Sequence, residues 1–271
     1  MTGSGGGDGG RGTVRQRSDT GAHYEALAGE YDELWVYRPE YVPWMSARIA
    51  EALRLGVGDR VADIGTGTGL FAQEIARQVR PRQPILCVDP SQAMLSQIAP
   101  SPDTLTPLLA SAEDVAERRV TLPYDQLDAV FMKESVHHLA DQAGTLRGLA
   151  DWLAPGGRLL VVMLPTTIQY PLFQAALDRF EELQPDPADI VEHLRAAGLE
   201  ADLGYVEHEL RIDKERYLRM VRARYMSLLS TFSDGEMEGG LEEMRAAHPE
   251  AVLTFPDRFA FVLGERRGEG R

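Results

Sequence analysis

Short apolar runs alternate with helical patterns between residues 60 and 164. The runs cover 60–64, 84–88, 105–109, 127–132 and 158–164, and apolar residues recur at three- and four-residue spacing over 70–79, 93–98, 112–117 and 142–153. Runs that are apolar throughout are typical of parallel strands covered by helices on both faces. The pattern predicts an α/β fold with five strands in this part of the chain.

The pattern differs on both sides of this core. Downstream it predicts helices over 172–183 and 187–197, a strand over 201–210, a helical stretch over 214–244 and a closing pair of apolar segments, 251–255 and 259–264. Upstream, an aromatic helical pattern starts at residue 23, and a second helix is expected over 42–55. Residues 1–22 are rich in Gly, Ser, Asp and Arg, which predicts a disordered tail. We therefore expect one domain over 23–271, with a helical cap (23–58), a core (59–165) and an inserted lid (205–245).

Composition restricts the function. The 271 residues carry a formal net charge of -14, which disfavours nucleic acid as a partner because phosphate backbones are bound mainly by Lys and Arg. The single cysteine, Cys87, excludes an intrachain disulfide and is expected to be a buried strand residue. With no apolar signal core or membrane-spanning stretch, we expect a cytoplasmic monomer or homodimer without membrane contact.

A glycine-rich turn follows the first strand of the core. Gly65, Gly67 and Gly69 permit a sharp turn and let backbone N–H groups approach a ligand at the start of the next helix. The dinucleotide pattern G-x-G-x-x-G requires a glycine where Leu70 stands, and Asp63 would repel a pyrophosphate. The turn therefore favours a cationic ligand.

A second carboxylate, Asp89, ends the second apolar run. It lies 20 residues after Gly69, at a position where a carboxylate accepts hydrogen bonds from both hydroxyls of a ribose. The alternative is that Asp89 caps the helix that follows. Together with the turn, it favours a ligand that is cationic and carries a ribose.

Five segments extend this interpretation: VADIGTGTG, LCVDPSQAML, ASAEDV, DAVFMKESVHHL and LAPGG. Their order and spacing resemble the motifs of the class I (Rossmann-like) S-adenosylmethionine-dependent methyltransferases over about residues 23–165. The resemblance implies a seven-stranded, mostly parallel sheet with the last strand antiparallel and helices on both faces. It also implies S-adenosylmethionine as cofactor and methyl transfer to O, N or C of a small metabolite, which we expect to be one of specialised metabolism.

By position, the resemblance implies a set of cofactor-binding residues. Ser111 stands where the family often has Asp, so its hydroxyl or the Ala112 N–H would replace that contact. Lys133, at the end of the fourth strand, is counted with the set. The expected contacts are, at the methionine end, Asp63, Gly65, Thr66, Gly67 and Gly69; at the ribose, Asp89; and around the adenine, Pro90, Met94, Ser111, Ala112 and Glu113.

Candidate catalytic residues follow the fourth strand. His137 and His138 lie at the carboxyl edge of the sheet, where open α/β folds bind ligands, and histidine suits removal of a proton near neutral pH. Similar His-His pairs occur in small-molecule O-methyltransferases. Glu134 is a third candidate. The alternatives are that either histidine is a core residue and that Glu134 pairs with Lys133.

The acceptor is expected to lie under the cap and the lid, and to be anionic or aromatic. Weak similarity to the trans-aconitate-methyltransferase-like branch adds to this expectation, and the candidate substrate residues are Tyr24, Tyr31, Trp35, Arg38, Arg222 and Tyr225. The alternatives are that the aromatic residues form core packing and that the arginines form an exposed helix face paired with Glu207, Glu209 and Glu215.

Two other functions stay open at this point. One is NAD-dependent oxidoreduction, which Asp63 and Leu70 disfavour. The other is a fold that keeps the cofactor for a non-methylating reaction such as a cyclisation. No metal site is predicted, because His137 and His138 are adjacent and no third ligand stands at a suitable spacing.

Overall fold

The protein is described by a computed structural model that covers residues 40–99 and 103–268. The predicted tail 1–22 and the candidate substrate residues Tyr24, Tyr31, Trp35 and Arg38 lie outside the described residues. We number helices and strands in chain order within the described part.

Helices and strands alternate as the apolar pattern predicts. The helices are α1 (Tyr41–Ala52), α2 (Leu70–Val79), α3 (Gln92–Leu95), α4 (Ala112–Ala116), α5 (Gln142–Ala150), α6 (Gln174–Leu183), α7 (Pro187–Ala196), α8 (Lys214–Arg222) and α9 (Asp234–Ala247), with 3-10 turns at Val136–His138 and Ser227–Thr231. The strands are β1 (Val61–Ile64), β2 (Ile85–Asp89), β3 (Leu105–Leu109), β4 (Leu127–Lys133), β5 (Leu153–Met163), β6 (Glu200–Asp213) and β7 (Val252–Glu265).

The strands form one seven-stranded sheet in the order β3-β2-β1-β4-β5-β7-β6. Pairing is parallel from β3 through β5, and β7 runs antiparallel to both β5 and β6. The predicted mostly parallel sheet with an antiparallel last strand is confirmed. The strand order reverses between β1 and β4, and open α/β sheets bind ligands at the carboxyl ends of the strands at such a switch point.

Burial on both faces explains the unbroken apolar runs. Every residue of β1 and β2 is buried. Along β4, Ala129 and Phe131 belong to the apolar cluster on one face of the sheet, and Val130 and Met132 to the cluster on the other. Apolar clusters cover both faces of the central strands, so the sequence there lacks the polar alternation of a half-exposed sheet.

The two closing apolar segments, 251–255 and 259–264, are joined in a single strand, β7, which covers Val252–Glu265. Pro256 lies inside this strand although proline has no N–H to donate to a neighbour. The pairing of β7 with β5 ends at Ala260 opposite Met163, so Pro256 has a partner only on the β6 side, opposite Glu209. Proline is therefore tolerated where it stands.

Beyond the end of β5, β6 and β7 continue as a two-stranded ribbon. Their pairing ends at Asp213 opposite Val252, and α8, the 3-10 turn 227–231 and α9 lie between these two residues. Of the predicted lid 205–245, residues 205–213 are therefore strand and the remainder is helical. None of the helices within 40–99 and 103–268 combines the length and apolarity that a membrane crossing requires.

Candidate active site

The glycine-rich turn has the sharp geometry that its sequence predicts. Gly65 and Gly69 have φ of 76° and 75°, in the left-handed region. A Cβ on Gly65 would lie 2.5 Å from Cβ of Ser135, and one on Gly69 would lie 2.9 Å from Cγ1 of Ile98. The N–H groups of Gly65 and Thr66 donate to the Val88 carbonyl oxygen at 2.8 and 3.0 Å. The turn is therefore attached to β2 and packs against the loop after β4.

Asp89 at the end of β2 joins this turn to the next loop. Its Oδ2 accepts from the Gly67 N–H at 2.9 Å, and its Oδ1 accepts from the Ser91 N–H at 2.8 Å. The N-cap of α3 is Ser91, whose hydroxyl accepts from the Met94 N–H. Asp89 is thus held by backbone N–H groups on both sides, facing the switch point.

Asp63 is a buried carboxylate at the start of the turn. It is 3% exposed, and its Oδ2 accepts from the Thr66 hydroxyl at 2.7 Å. Desolvation raises the pKa of Asp63 to about 7, and the neighbouring Asp89 adds to the rise, whereas Lys133 opposes it. A cationic ligand at the turn would favour the ionised form.

Lys133 and Glu134 do not form the predicted ion pair with each other. The Lys133 ammonium lies 4.6 Å from the Phe71 ring centroid and 5.0 Å from that of Phe259. The Glu134 carboxylate instead accepts from the Leu164 N–H at 2.8 Å. Desolvation raises the pKa of Glu134 to about 7, although the positive charge of Lys133 opposes the rise. Both side chains are therefore held separately at the end of β4.

The two histidines form the 3-10 turn that follows. Their ring centroids are 4.0 Å apart. The Nδ1 of His137 is buried and has no hydrogen-bond partner among the described residues. Desolvation, with a smaller contribution from His138, lowers the pKa of His137 well below its ordinary value. Its imidazole is therefore neutral at physiological pH and has a nitrogen lone pair available.

The sequence analysis missed Asp257 on β7. Asp257 is 1% exposed, and its carboxylate accepts hydrogen bonds from the hydroxyls of Tyr170 and Tyr41. Burial raises the pKa of Asp257 to about 6, opposed by the Tyr170 hydrogen bond and by Lys133. The only available signal was a carboxylate between two apolar segments, a position typical of an exposed loop.

On the adenine side, several expected residues have structural partners. The Ser111 hydroxyl and the Asp114 carboxylate form a reciprocal capping box at the start of α4. The Glu113 carboxylate accepts from the Ala140 N–H at 3.3 Å. Met94 is buried and Pro90 is exposed. The cap role explains why Ser stands at position 111 independently of any ligand.

Arg222 and Tyr225 have their partners inside the helical segment 214–247. Arg222 forms an exposed ion pair with Glu238, and the fully buried Tyr225 shares a hydrogen bond with the Tyr217 hydroxyl at 3.1 Å. Arg224 pairs with Asp234. For Arg222 and Arg224 the acidic partners therefore lie on α9, rather than among Glu207, Glu209 and Glu215.

Metal ligands are not clustered in the part of the chain that the structure describes: no group of three or more His, Cys, Asp or Glu side chains there is placed to hold an ion. The polar side chains at the switch point are carboxylates, one ammonium and two imidazoles. This set suits a charged organic ligand.

Comparison with known proteins agrees with this geometry. The sequence model of a methyltransferase domain family matches residues 62–159. A ubiquinone/menaquinone biosynthesis C-methyltransferase of Geobacter sulfurreducens is 32% identical over 43% of this chain and 46% of its own length, so the chain spans about half of that relative. The 27-O-demethylrifamycin SV methyltransferase of Amycolatopsis mediterranei is 28% identical over 87% of this chain and 89% of its own.

Solved structures show the same fold at lower identity. A protein of Anabaena variabilis, which bears the name of an antibiotic-biosynthesis methyltransferase, has a TM-score of 0.64 at 18% identity and covers 82% of this chain and 96% of its own. The [4+2]-cyclase SpnF has a TM-score of 0.53 at 18% identity over 84% of this chain and 81% of its own.

Proposed function

We propose the following function on the premise that this chain is a class I (Rossmann-like) S-adenosylmethionine-dependent methyltransferase: it transfers the methyl group of S-adenosylmethionine to a hydroxyl oxygen of a small metabolite. One observation carries the cofactor assignment. Two buried carboxylates, Asp63 and Asp89, flank a left-handed glycine turn at the switch point of the sheet. Carboxylates at this turn favour a cationic ligand with a ribose over a pyrophosphate.

Different residues of the site fit the amino acid end and the ribose of this cofactor. Asp63 faces the amino acid end, where ammonium and sulfonium charges favour its ionised form. Asp89 joins the turn to the α3 loop with one hydrogen bond to each, and its remaining lone pairs accept from ribose hydroxyls. The cofactor supplies an electrophilic methyl group on sulfur. The chain's own contribution is to align the acceptor with that group and to receive its proton.

His137 is the proposed proton acceptor. It lies three residues after Glu134, and Ser135 between them packs against Gly65, so the 3-10 turn begins beside the cofactor turn. Its neutral imidazole would accept the hydroxyl proton of the acceptor, and His137 would then carry the positive charge.

The small hydroxylated acceptor is proposed from a relative that this chain resembles over most of its length. The Amycolatopsis protein, aligned over 89% of its length, is named for methylating 27-O-demethylrifamycin SV. This name supports the proposal of a hydroxylated acceptor in specialised metabolism. The same similarity does not extend to the C-methyltransferase, which is matched over 46% of its length.

A binding measurement tests the cofactor site. In calorimetric titration with S-adenosylhomocysteine, Asp89→Ala should lower affinity about a hundredfold, because two hydrogen bonds to a charged group are lost. Asp202→Ala is the matched control, since Asp202 is an exposed aspartate on β6. Unchanged affinity in Asp89→Ala would contradict the site assignment. Cofactor binding without methyl transfer to any of a panel of hydroxylated metabolites would favour a non-methylating use of the fold.

A further inference from the structure

Asp63 and Lys133 place opposite charges at the carboxyl ends of neighbouring strands. In the β1–β4 pairing Asp63 lies opposite Phe131, so Lys133, two residues further along β4, projects from the same edge as the glycine turn. Each affects the other's pKa electrostatically. No described residue forms a hydrogen bond or an ion pair with the Lys133 ammonium, which lies over the rings of Phe71 and Phe259. All three of its N–H donors therefore remain to be used.

We propose that Lys133 binds the carboxylate of the cofactor's amino acid end while Asp63 binds its ammonium, and that Asp257 is a positioning residue that keeps Lys133 charged and in place. This rests on the proposed cofactor. An α-amino acid end carries both charges on one carbon, so a carboxylate and an ammonium side by side match it. Lysine, a compact charge with three donors, suits a single carboxylate.

The need for Asp257 follows from the burial of Lys133. Desolvation lowers the pKa of Lys133, and the carboxylates of Glu134, Asp257 and Asp63 oppose that effect. These three groups come from β4, β7 and β1, whereas α2 and β7 contribute the aromatic rings. Asp63 is to be occupied by the ligand's ammonium, and Glu134 is already held by the Leu164 N–H. Asp257 stands two residues before Phe259 on β7, and the Lys133 ammonium lies 5.0 Å from the Phe259 ring centroid, so we assign this carboxylate to Lys133.

Two tyrosines fix Asp257 for this task. The hydroxyls of Tyr170 and Tyr41 donate to its carboxylate, and donors of this kind favour the ionised form. Tyr41 belongs to α1 and Tyr170 to the segment after β5, so Asp257 connects three separate parts of the chain. Tyr217 on α8 is a further titratable group near Asp257. The two tyrosines therefore hold the Asp257 carboxylate in place.

A comparison of two ligands distinguishes the proposed roles of Lys133 and Asp257 from a merely structural contribution. S-adenosylhomocysteine has the amino acid end, whereas 5′-methylthioadenosine shares the adenosine thioether and lacks it. In calorimetric titrations of the full chain, Lys133→Met should lower the affinity for S-adenosylhomocysteine ten- to a hundredfold. Asp257→Asn should lower it about tenfold. Both variants should bind 5′-methylthioadenosine as the wild type does, and Asp257→Glu should recover much of the loss. The exposed control Asp202→Asn should change neither affinity.

The outcomes distinguish the two levels of the proposal. These roles would be overturned if Lys133→Met and Asp257→Asn lowered the affinity for both ligands equally, or if neither variant lowered the affinity for S-adenosylhomocysteine. The cofactor assignment would remain intact in either case. A wild-type protein that binds neither ligand would overturn the cofactor assignment and this inference together. If the Asp257 and Lys133 variants do not fold, Tyr170→Phe provides the test: it should weaken S-adenosylhomocysteine severalfold and leave 5′-methylthioadenosine unchanged, and an unchanged S-adenosylhomocysteine affinity would refute the Asp257 role.

Discussion

The donor side and the acceptor side of the site are built differently. The donor side is β1 to β3 with α2 to α4, where the polar groups that shape the turn stand within one or two elements: Asp63 with Thr66, and Asp89 with Gly67 and Ser91. The side that we propose for the acceptor is the loop after β4, the segment after β5 and the β6–β7 ribbon. There Asp257 bonds to Tyr170, 87 positions away in the sequence. Local motifs define the donor side, and long-range packing defines the acceptor side.

This difference predicts that each side can be damaged separately. A substitution of the proposed proton acceptor, His137, should change turnover and leave cofactor affinity alone. A substitution at the contact between the two sides should reduce the stability of the whole domain. A charge change on the donor side should alter the pH dependence of cofactor binding.

The largest effect is expected on the acceptor side. His137→Gln should lower kcat about a hundredfold or more, because it removes the proposed proton acceptor, while S-adenosylhomocysteine affinity stays within a factor of about two. Turnover with a hydroxylated acceptor under saturating cofactor, together with a calorimetric titration, measures both. The neighbouring His138→Gln is the matched control and should lose much less turnover. Equal losses in the two variants would remove the distinction between the histidines.

The next effect concerns Gly65, where the two sides touch. Gly65→Ala should lower the free energy of unfolding by about 2–4 kcal/mol, since it adds the cost of a positive φ to a contact with Ser135. Gly67→Ala has a similar φ of 58° but no atom within 4 Å of the added Cβ, so it should cost about 1–2 kcal/mol. Urea unfolding followed by fluorescence measures the difference. Equal losses of unfolding free energy in the two variants would show that the loop after β4 shifts freely to accommodate the added methyl group.

The smallest of the three is a pH effect on the donor side. Because the pKa of Asp63 is about 7, the carboxylate must lose a proton to bind an ammonium, and S-adenosylhomocysteine affinity should rise by up to about tenfold per pH unit from pH 6 to 7 and level off above. Asp63→Asn should bind weakly with a much flatter profile. Titrations in matched buffers between pH 5.5 and 8.5 decide the point, and an equally steep profile in Asp63→Asn would assign the proton to another group.

The same raised pKa has a consequence for stability without ligand. The folded protein holds this proton more tightly than the unfolded chain, whose carboxyl has a pKa near 3.8. The corresponding stability is fully present below pH 3.8 and is lost as the pH rises through about 7. Glu134 and Asp257, whose pKa values are also raised, act in the same direction. The contribution of Asp63 to folding stability and its contribution to cofactor binding therefore depend on pH in opposite ways.

The sequence was sufficient to predict the local structure of the donor side, because the signals for that structure come from residues close together in the chain. The helix predicted over 70–79 and the strand predicted over 105–109 have the predicted bounds, and the glycines of the turn adopt the left-handed geometry that the motif requires. The class I resemblance and the seven-stranded sheet are confirmed as well. Apolar periodicity and glycine spacing depend on neighbours in the chain, so the sequence displays them directly.

The acceptor side could not be derived in the same way. Asp257 was passed over because its burial depends on Tyr170, Tyr41 and Lys133, which stand far from it in the sequence. Arg222 and Arg224 were given partners close in sequence on β6 and α8, whereas the structure provides partners on α9. The roles of the histidines and of the cofactor-contact residues stay predictions, because the geometry alone does not measure them.

The ribbon of β6 and β7 has a consequence for how such proteins diversify. The chain leaves the sheet after Asp213 and returns at Val252, and these two residues are opposite each other in the same strand pair. A segment whose ends are already neighbours can be lengthened, shortened or exchanged between homologues without shifting the register of the sheet. Residues 214–251 can therefore be exchanged as one unit while the seven-stranded sheet and the glycine turn are inherited unchanged.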